Sequence, residues 1–227
     1  MVFTLTGDVE RPGIYELPMG TPLRTLIEEF GGGVTSGRPL KAVFSGIANA
    51  VIMPAALDTP LDFGSMQGIG SGLGSGGFIV YDDTNCILQV AYRFSEFLFV
   101  ESCFQCIACK SGTNQATSAL RKLIDGSGGG MDVELVLAGA RSAPRANRCY
   151  LPVEASLLIP SIVLNFLPDF VRHYNRDTET RRFRRVHRKV HVREDHCRRR
   201  CCRRVRIVGR RRAQKGAAWY SEATKER

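Results

Sequence analysis

Glu101-Ser102-Cys103-Phe104-Gln105-Cys106-Ile107-Ala108-Cys109-Lys110 is the stretch on which the reading of this chain turns. Three cysteines spaced Cys-x2-Cys-x2-Cys let one short loop present thiolates to neighbouring corners of an iron–sulfur cubane. In a ferredoxin-type run a fourth cysteine follows almost at once, with a proline behind it. Here the corresponding position is Thr113, so a fourth thiolate has to come from elsewhere. The candidates are Cys86, Cys149 and the cysteines near the C-terminus. Cys149 sits in Arg148-Cys149-Tyr150-Leu151-Pro152, between two predicted helices, and a helical bundle can return such a loop to the first three cysteines. Cys86 lies about 25 Å from Cys103 along a straight helix and reads as a buried structural cysteine. The expected ligands of one [4Fe–4S] cluster are therefore Cys103, Cys106, Cys109 and Cys149. The alternative is zinc, which usually takes one pair of Cys or His separated from a second pair. Lys110, Arg121 and Arg148 are candidates to tune an anionic cluster towards a higher potential.

Helical periodicity surrounds this loop. Ile87, Val90, Ala91, Phe94, Phe97 and Leu98 recur at helical spacing, and Asp82-Asp83-Thr84-Asn85 offers N-cap chemistry before them. The aromatic pair Phe94 and Phe97 reads as core. Further helices are expected around 113–125, 132–140 and 153–165. Residues 85–175 thus read as a small helical bundle that holds the cluster.

Residues 1–64 read differently. Phe3 and Leu5 alternate with polar neighbours, as in a half-buried strand, and Ile14-Tyr15-Glu16-Leu17 can return as a second. Thr21-Pro22 predicts an N-cap followed by proline at the first helical position. Leu23, Leu26, Ile27 and Phe30 then follow at helical spacing, and Gly31-Gly32-Gly33 ends the helix. Ala42-Val43-Phe44 is a further strand. Strand, strand, helix, strand is the order of a β-grasp. Residues 65–84 form a glycine-rich connector and a buried strand, Phe78-Ile79-Val80-Tyr81. Gly68-x-Gly70-x-x-Leu73 fails the dinucleotide fingerprint at its third glycine, so a tight linker is favoured over a phosphate loop. The fold class expected is α+β: a β-grasp domain, a helical iron–sulfur domain and a basic tail.

The chain has 227 residues, eight cysteines, 44% hydrophobic residues and a net charge of +10. That charge is local. Sixteen Lys or Arg and two acids fall between Arg181 and Arg212, leaving 16 basic against 20 acidic residues elsewhere, a balance of −4. The arginine-dense tail, 176–227, has no hydrophobic period and reads as a disordered, idle extension. Nucleic-acid binding through phosphate neutralisation, and a zinc site from His187, His191, His196, Cys197, Cys201 and Cys202, are weaker readings of it. No signal peptide is visible, and the longest apolar stretch, 157–167, is broken by Pro160 and Asn165. A cytoplasmic protein without a membrane span is expected, in which clustered cysteines bind metal rather than pair as disulfides.

Taken together these residues resemble the C-terminal half of the flavoprotein, 51 kDa-type subunit of respiratory complex I, a module shared with NAD-linked formate dehydrogenases and bidirectional hydrogenases. Residues 7–16 and 26–33 look like its soluble-ligand-binding β-grasp (SLBB) domain, and 74–80 with Asp83-Thr84-Asn85-Cys86 like its connector. Glu101-Ser102-Cys103, Cys106, Cys109 and Gly112-Thr113 look like its cluster loop, and Cys149 falls where its fourth ligand would. The family loop usually reads Glu-Ser-Cys-Gly-x-Cys-x-Pro-Cys-Arg. Phe104, Ala108 and Lys110 depart from it, which bears on the loop's shape and the cluster's potential.

The resemblance implies electron transfer from a flavin, on another domain or chain, to partner iron–sulfur subunits. These include a thioredoxin-like [2Fe–2S] subunit of an NADH-linked complex, with which peripheral membrane association is compatible. No glycine-rich nucleotide domain precedes Met1, so a truncated or split version is expected. FMN and NAD would bind a missing domain or partner, and the chain alone would not oxidise NADH. The alternative function is a zinc-stabilised binding module with a basic nucleic-acid-binding tail.

Overall fold

The computed structural model describes residues 1–174. A four-stranded mixed sheet forms from β1 (Val2–Gly7), β2 (Gly13–Glu16), β3 (Leu40–Ser45) and β4 (Gly77–Asp82), in the order β2-β1-β4-β3. β1 pairs antiparallel with β2 and parallel with β4, and β3 closes the other edge antiparallel to β4. The predicted alternation holds: Phe3 and Leu5 face inward at 0% exposure. They join Leu23, Leu26, Ile27, Val43, Ile52, Leu61, Met66, Phe78 and Val80 in one core.

The segment after β2 departs from expectation. Thr21 does not cap the helix, because its Oγ1 donates back to the Pro18 carbonyl at 2.8 Å. Pro22 stands at the cap instead. One α turn, α1 (Leu23–Thr25), widens at once into a π turn, Leu26–Phe30. Gly32 and Gly33, with φ of 74° and 83°, make the left-handed exit that glycine accepts without a steric penalty.

The glycine-rich stretch is not wholly a linker. Phe63–Gly68 forms α2, seeded by Asp62, whose carboxylate accepts the Ser65 amide at 2.7 Å and the Ser65 hydroxyl at 2.8 Å. Cap chemistry and burial of Met66 outweigh the glycines' poor helix propensity. The Asp82–Asn85 cluster, expected to cap a helix, ties a turn to the sheet. Asp8 Oδ2 accepts the Asp82 amide at 3.0 Å and the Asn85 side-chain amide at 2.6 Å, while Asp82 Oδ1 accepts the Thr84 amide at 2.9 Å. The cap position itself falls to Cys86, which makes no side-chain capping bond.

Four helices follow: α3 (Ile87–Val100), α4 (Ile107–Asp125), α5 (Gly130–Ser142) and α6 (Leu151–Asn165). α3 packs on α4 and α6, and α5 packs on the same two, closing a bundle. α4 begins six residues earlier than expected because its first turn grows directly out of the cysteine loop. A short helix not expected from the sequence, α7 (Leu167–Tyr174), folds against the bundle. α6 and α7 meet at a bend of 78°, and no single helix among the described residues is long and apolar enough to cross a membrane. Residues 176–227, with the tail's proposed zinc and nucleic-acid roles, lie outside the described residues.

Sheet and bundle share a face. Phe94 of α3 meets Phe44 of β3 edge-on at 5.0 Å and Tyr81 of β4 at 6.5 Å. Phe97, expected in the core, is 48% exposed, because the buried stripe of α3 runs through Phe94 and Leu98 and leaves Phe97 on the solvent side. Lys41 of β3 pairs with Asp169 of α7 at 2.8 Å, and Val51 donates its amide to Ser161 of α6 at 3.0 Å.

α4 and α5 pack backbone against backbone. A β-carbon at Gly112 would stand 2.5 Å from the Gly139 carbonyl oxygen and 2.9 Å from Ala143; one at Gly139 would stand 2.7 Å from the Gly112 oxygen. These neighbours are backbone and cannot rotate away. Gly112→Ala and Gly139→Ala are each expected to destabilise the chain by about 1–3 kcal/mol, the range for overpacked cores. Gly68→Ala, which meets nothing within 4 Å, is expected to be neutral or slightly stabilising. Urea unfolding of the three variants checks this, and equal midpoints would contradict the close crossing.

Candidate metal centre

α3 ends at Val100, and Glu101 caps it with an amide bonded to the Phe97 carbonyl at 2.9 Å. The chain then turns sharply, since Phe104 has φ of +58°. That region is ordinary for glycine, the residue of the family loop, and costs a bulky side chain about 1–3 kcal/mol. Contacts hold the ring in place. Phe99 meets it edge-on at 5.3 Å, and the Lys110 ammonium lies over its face, 5.6 Å from the centroid. The Phe104 amide is taken by Ser102 Oγ at 3.3 Å.

Cys106 stands at the N-cap of α4 and Cys109 in its first turn. Both sulfurs thus lie at the positive end of a 19-residue helix, where amides without helical partners favour anions. Cys109 is buried, Cys106 half-buried and Cys103 exposed. Burial pushes the Cys109 thiol above its ordinary range. A hydrogen bond with Ser102 Oγ at 3.3 Å opposes that rise, while Cys149, Cys106 and Cys103, in that order, add to it. Cys149 is exposed on the loop between α5 and α6, where its carbonyl accepts the Asn147 side-chain amide at 2.6 Å.

Cys103, Cys106 and Cys149 therefore all lie within electrostatic reach of Cys109. Among the described residues, no three Cys, His, Asp or Glu side chains converge tightly enough to share one ion. A single zinc holds every sulfur about 2.3 Å from one centre. A cubane binds each thiolate at its own iron corner and so tolerates wider spacing. The donor set, thiols at and beside a helix N-terminus with Lys110 alongside, fits a cubane. Lys110 is the basic residue placed against the loop through Phe104; Arg121 and Arg148 are exposed.

Cys86 is set apart, at the opposite end of α3. It is buried, and its Sγ lies 3.1 Å from Nε2 of the buried His173 on α7. Sequence reasoning missed His173, because nothing local announces a partner 87 residues away. It also passed over Ser102, whose only signal was a hydroxyl directly before the first cysteine.

Comparison with known proteins divides the chain into two matched regions. Residues 89–173 match the NADH-ubiquinone oxidoreductase-F iron-sulfur binding region, and residues 2–43 match the SLBB domain. Among curated proteins, an F subunit of the NADH-quinone oxidoreductase of Rhizobium meliloti is 36% identical over 173 residues, covering 76% of this chain and 41% of that protein. The corresponding protein of Rickettsia typhi is 34% identical over 167 residues, covering 73% and 40%. The chain thus spans about two fifths of the length of the curated relatives it matches. Among solved structures, an NAD+-reducing [NiFe]-hydrogenase in its air-oxidised state shares the fold, with a TM-score of 0.67 at 23% identity, covering 76% of this chain and 29% of the other.

In the reduced, metal-free chain, Cys103 and Cys149 should react with maleimide first and Cys109 last, since Cys109 is both buried and held protonated. Peptide mapping after short labelling reads the order. Labelling of Cys109 ahead of Cys103 would contradict the geometry.

Proposed function

Because the chain is a homologue of NADH-quinone oxidoreductase F subunits and joins an SLBB domain to their iron–sulfur binding region, we propose that it is the electron-relay portion of an NADH dehydrogenase-type assembly. In this reading Cys103, Cys106, Cys109 and Cys149 ligate one [4Fe–4S] cluster. The observation that supports it is that Cys106 and Cys109 stand at the cap and in the first turn of α4 just after Cys103, with Cys149 near enough to act on the Cys109 thiol, all inside the matched region. When bound, such a cluster supplies one-electron acceptance and release.

The protein's own part is to hold and tune. The 103–109 loop contributes three thiolates from one turn of chain, and the α5–α6 loop brings the fourth. The helix N-terminus and Lys110 offset the negative charge that four thiolates gather. The exposure of Cys103 and Cys149 leaves one side of the site open to a redox partner.

The finer assignments belong to the same proposal. Residues 1–64, completed by the strand within the 65–84 connector, form a β-grasp, and 85–175 form the cluster domain. The electrons originate at a flavin on a separate domain or chain, where FMN and NAD bind, and leave to a thioredoxin-like [2Fe–2S] subunit. The order of sheet pairing and the match to an SLBB domain support the first assignment. The relatives' name supports only the NADH-linked redox assembly in the second.

Anaerobically purified chain is expected to be brown, with about four iron and four sulfide per chain. Cys149→Ser should lose most of that iron, and Cys86→Ser should retain it. A colourless protein carrying one zinc, or equal iron in the two variants, would refute the ligand assignment.

A further inference from the structure

Ser102 is buried, at 7% exposure, although its neighbours Glu101 and Cys103 are exposed. A serine hydroxyl has one proton to give and two lone pairs to receive with. One lone pair is engaged, because Ser102 Oγ accepts the Phe104 amide at 3.3 Å. The same oxygen lies 3.3 Å from Cys109 Sγ. In the metal-free chain either atom of that pair could carry the proton. A thiolate bound to iron carries none, so there the direction is settled: the hydroxyl donates and the sulfur accepts.

Resting on the cluster assignment above, we propose that Ser102 is a positioning residue of the electron-transfer centre, donating a hydrogen bond to the Cys109 thiolate and raising the centre's reduction potential. The reduced centre carries one more negative charge than the oxidised one. A donor aimed at a ligand sulfur therefore favours the reduced form more strongly. The Phe104 amide strengthens the effect, since a hydroxyl that accepts a hydrogen bond becomes a better donor. N–H, O–H and S thus form a short relay running inward from the loop. Its outer end is held by the backbone of Phe104 at φ +58°, which the Phe99 and Lys110 contacts keep in place. The electron enters from the flavin donor and leaves to the acceptor. No bond at Ser102 forms or breaks, and its proton stays on oxygen.

Ser102 is distinct in this respect from Thr113, the other buried hydroxyl near the loop. Thr113 Oγ1 donates to the Cys109 carbonyl at 2.7 Å, so its proton is committed to the α4 backbone rather than to sulfur.

The test is redox potentiometry, followed by electron paramagnetic resonance, on the anaerobically purified full chain and on Ser102→Ala and Ser102→Thr. Ser102→Ala should shift the potential negative by about tenfold in the reduction equilibrium, about 59 mV for one electron. Ser102→Thr, which keeps the hydroxyl, should restore it. Resonance Raman bands of the iron–thiolate stretch should shift in D2O for Ser and Thr, and shift less for Ala. A purely structural role would change cluster retention and leave the potential of the retained cluster alone. Iron and sulfide in the unsubstituted chain, with equal potentials in all three proteins, would overturn this inference while leaving the cluster assignment intact. An unsubstituted chain that holds no cluster would overturn both. Should Ser102→Ala fail to load, Ser102→Thr against Ser102→Val compares one shape with and without the hydroxyl, and equal potentials there overturn the proposal.

Discussion

The crossing of α4 and α5 is the contact on which the centre depends. At Gly112 and Gly139 the two backbones approach until neither position has room for a β-carbon. Gly112 lies three residues beyond Cys109, and the end of α5 feeds the loop that carries Cys149. The same approach that seals the bundle therefore bears on the distance between the three-cysteine loop and the loop that carries Cys149, the proposed fourth ligand. Between the helices of this region the packing is completed by a buried hydroxyl pair, Ser95 with Thr117 at 2.7 Å, which fixes α4 against α3.

Charge and strain meet in the loop itself. In the proposed centre four thiolates would be costly to gather, and the amides at the start of α4 and the nearby Lys110 ammonium would offset that cost. The ammonium of Lys110 reaches the loop by way of the Phe104 ring. Where the family has a glycine, this chain has a phenylalanine in a left-handed conformation, clamped from two sides. The replacement exchanges backbone ease for apolar cover beside the cysteines. It also gives the loop a rigid feature that a glycine lacks, with consequences for how firmly the Ser102 hydroxyl is aimed.

The sheet is coupled to this centre, not appended to it. Its β3–β4 edge presents Phe44 and Tyr81 to Phe94 of α3, so the helix that ends at the cysteine loop is seated on the sheet by aromatic edges. At the other end of α3, the Cys86–His173 pair and the Lys41–Asp169 ion pair hold α7 over the same junction. That ion pair is largely shielded from water, so its loss would leave a charge poorly solvated and loosen the seat of α7.

Much of this could be read directly from the residues. Cys103, Cys106 and Cys109 announce a cluster loop because ligands three residues apart share a turn of backbone, and backbone reach is a local property. The strands around Phe3, Val43 and Val80, and the buried stripe of α3, follow from periodicity for the same reason. The sequence was silent or misleading wherever a side chain had two possible partners. Asp82 and Asn85 have cap chemistry, yet Asp8 lies across the sheet and takes them. Phe63–Gly68 looks like a linker until Asp62 caps it and Met66 finds a core. Phe97 has the spacing of a core residue and lands on the solvent side. Cys149 was expected from the sequence as the distant ligand, whereas how near the α5–α6 loop brings it to Cys109, and that Ser102 turns its hydroxyl on Cys109, were decided by tertiary structure. Spacing along a chain settles which groups can share a turn, whereas meetings across 40 residues depend on how closely two helices can pack.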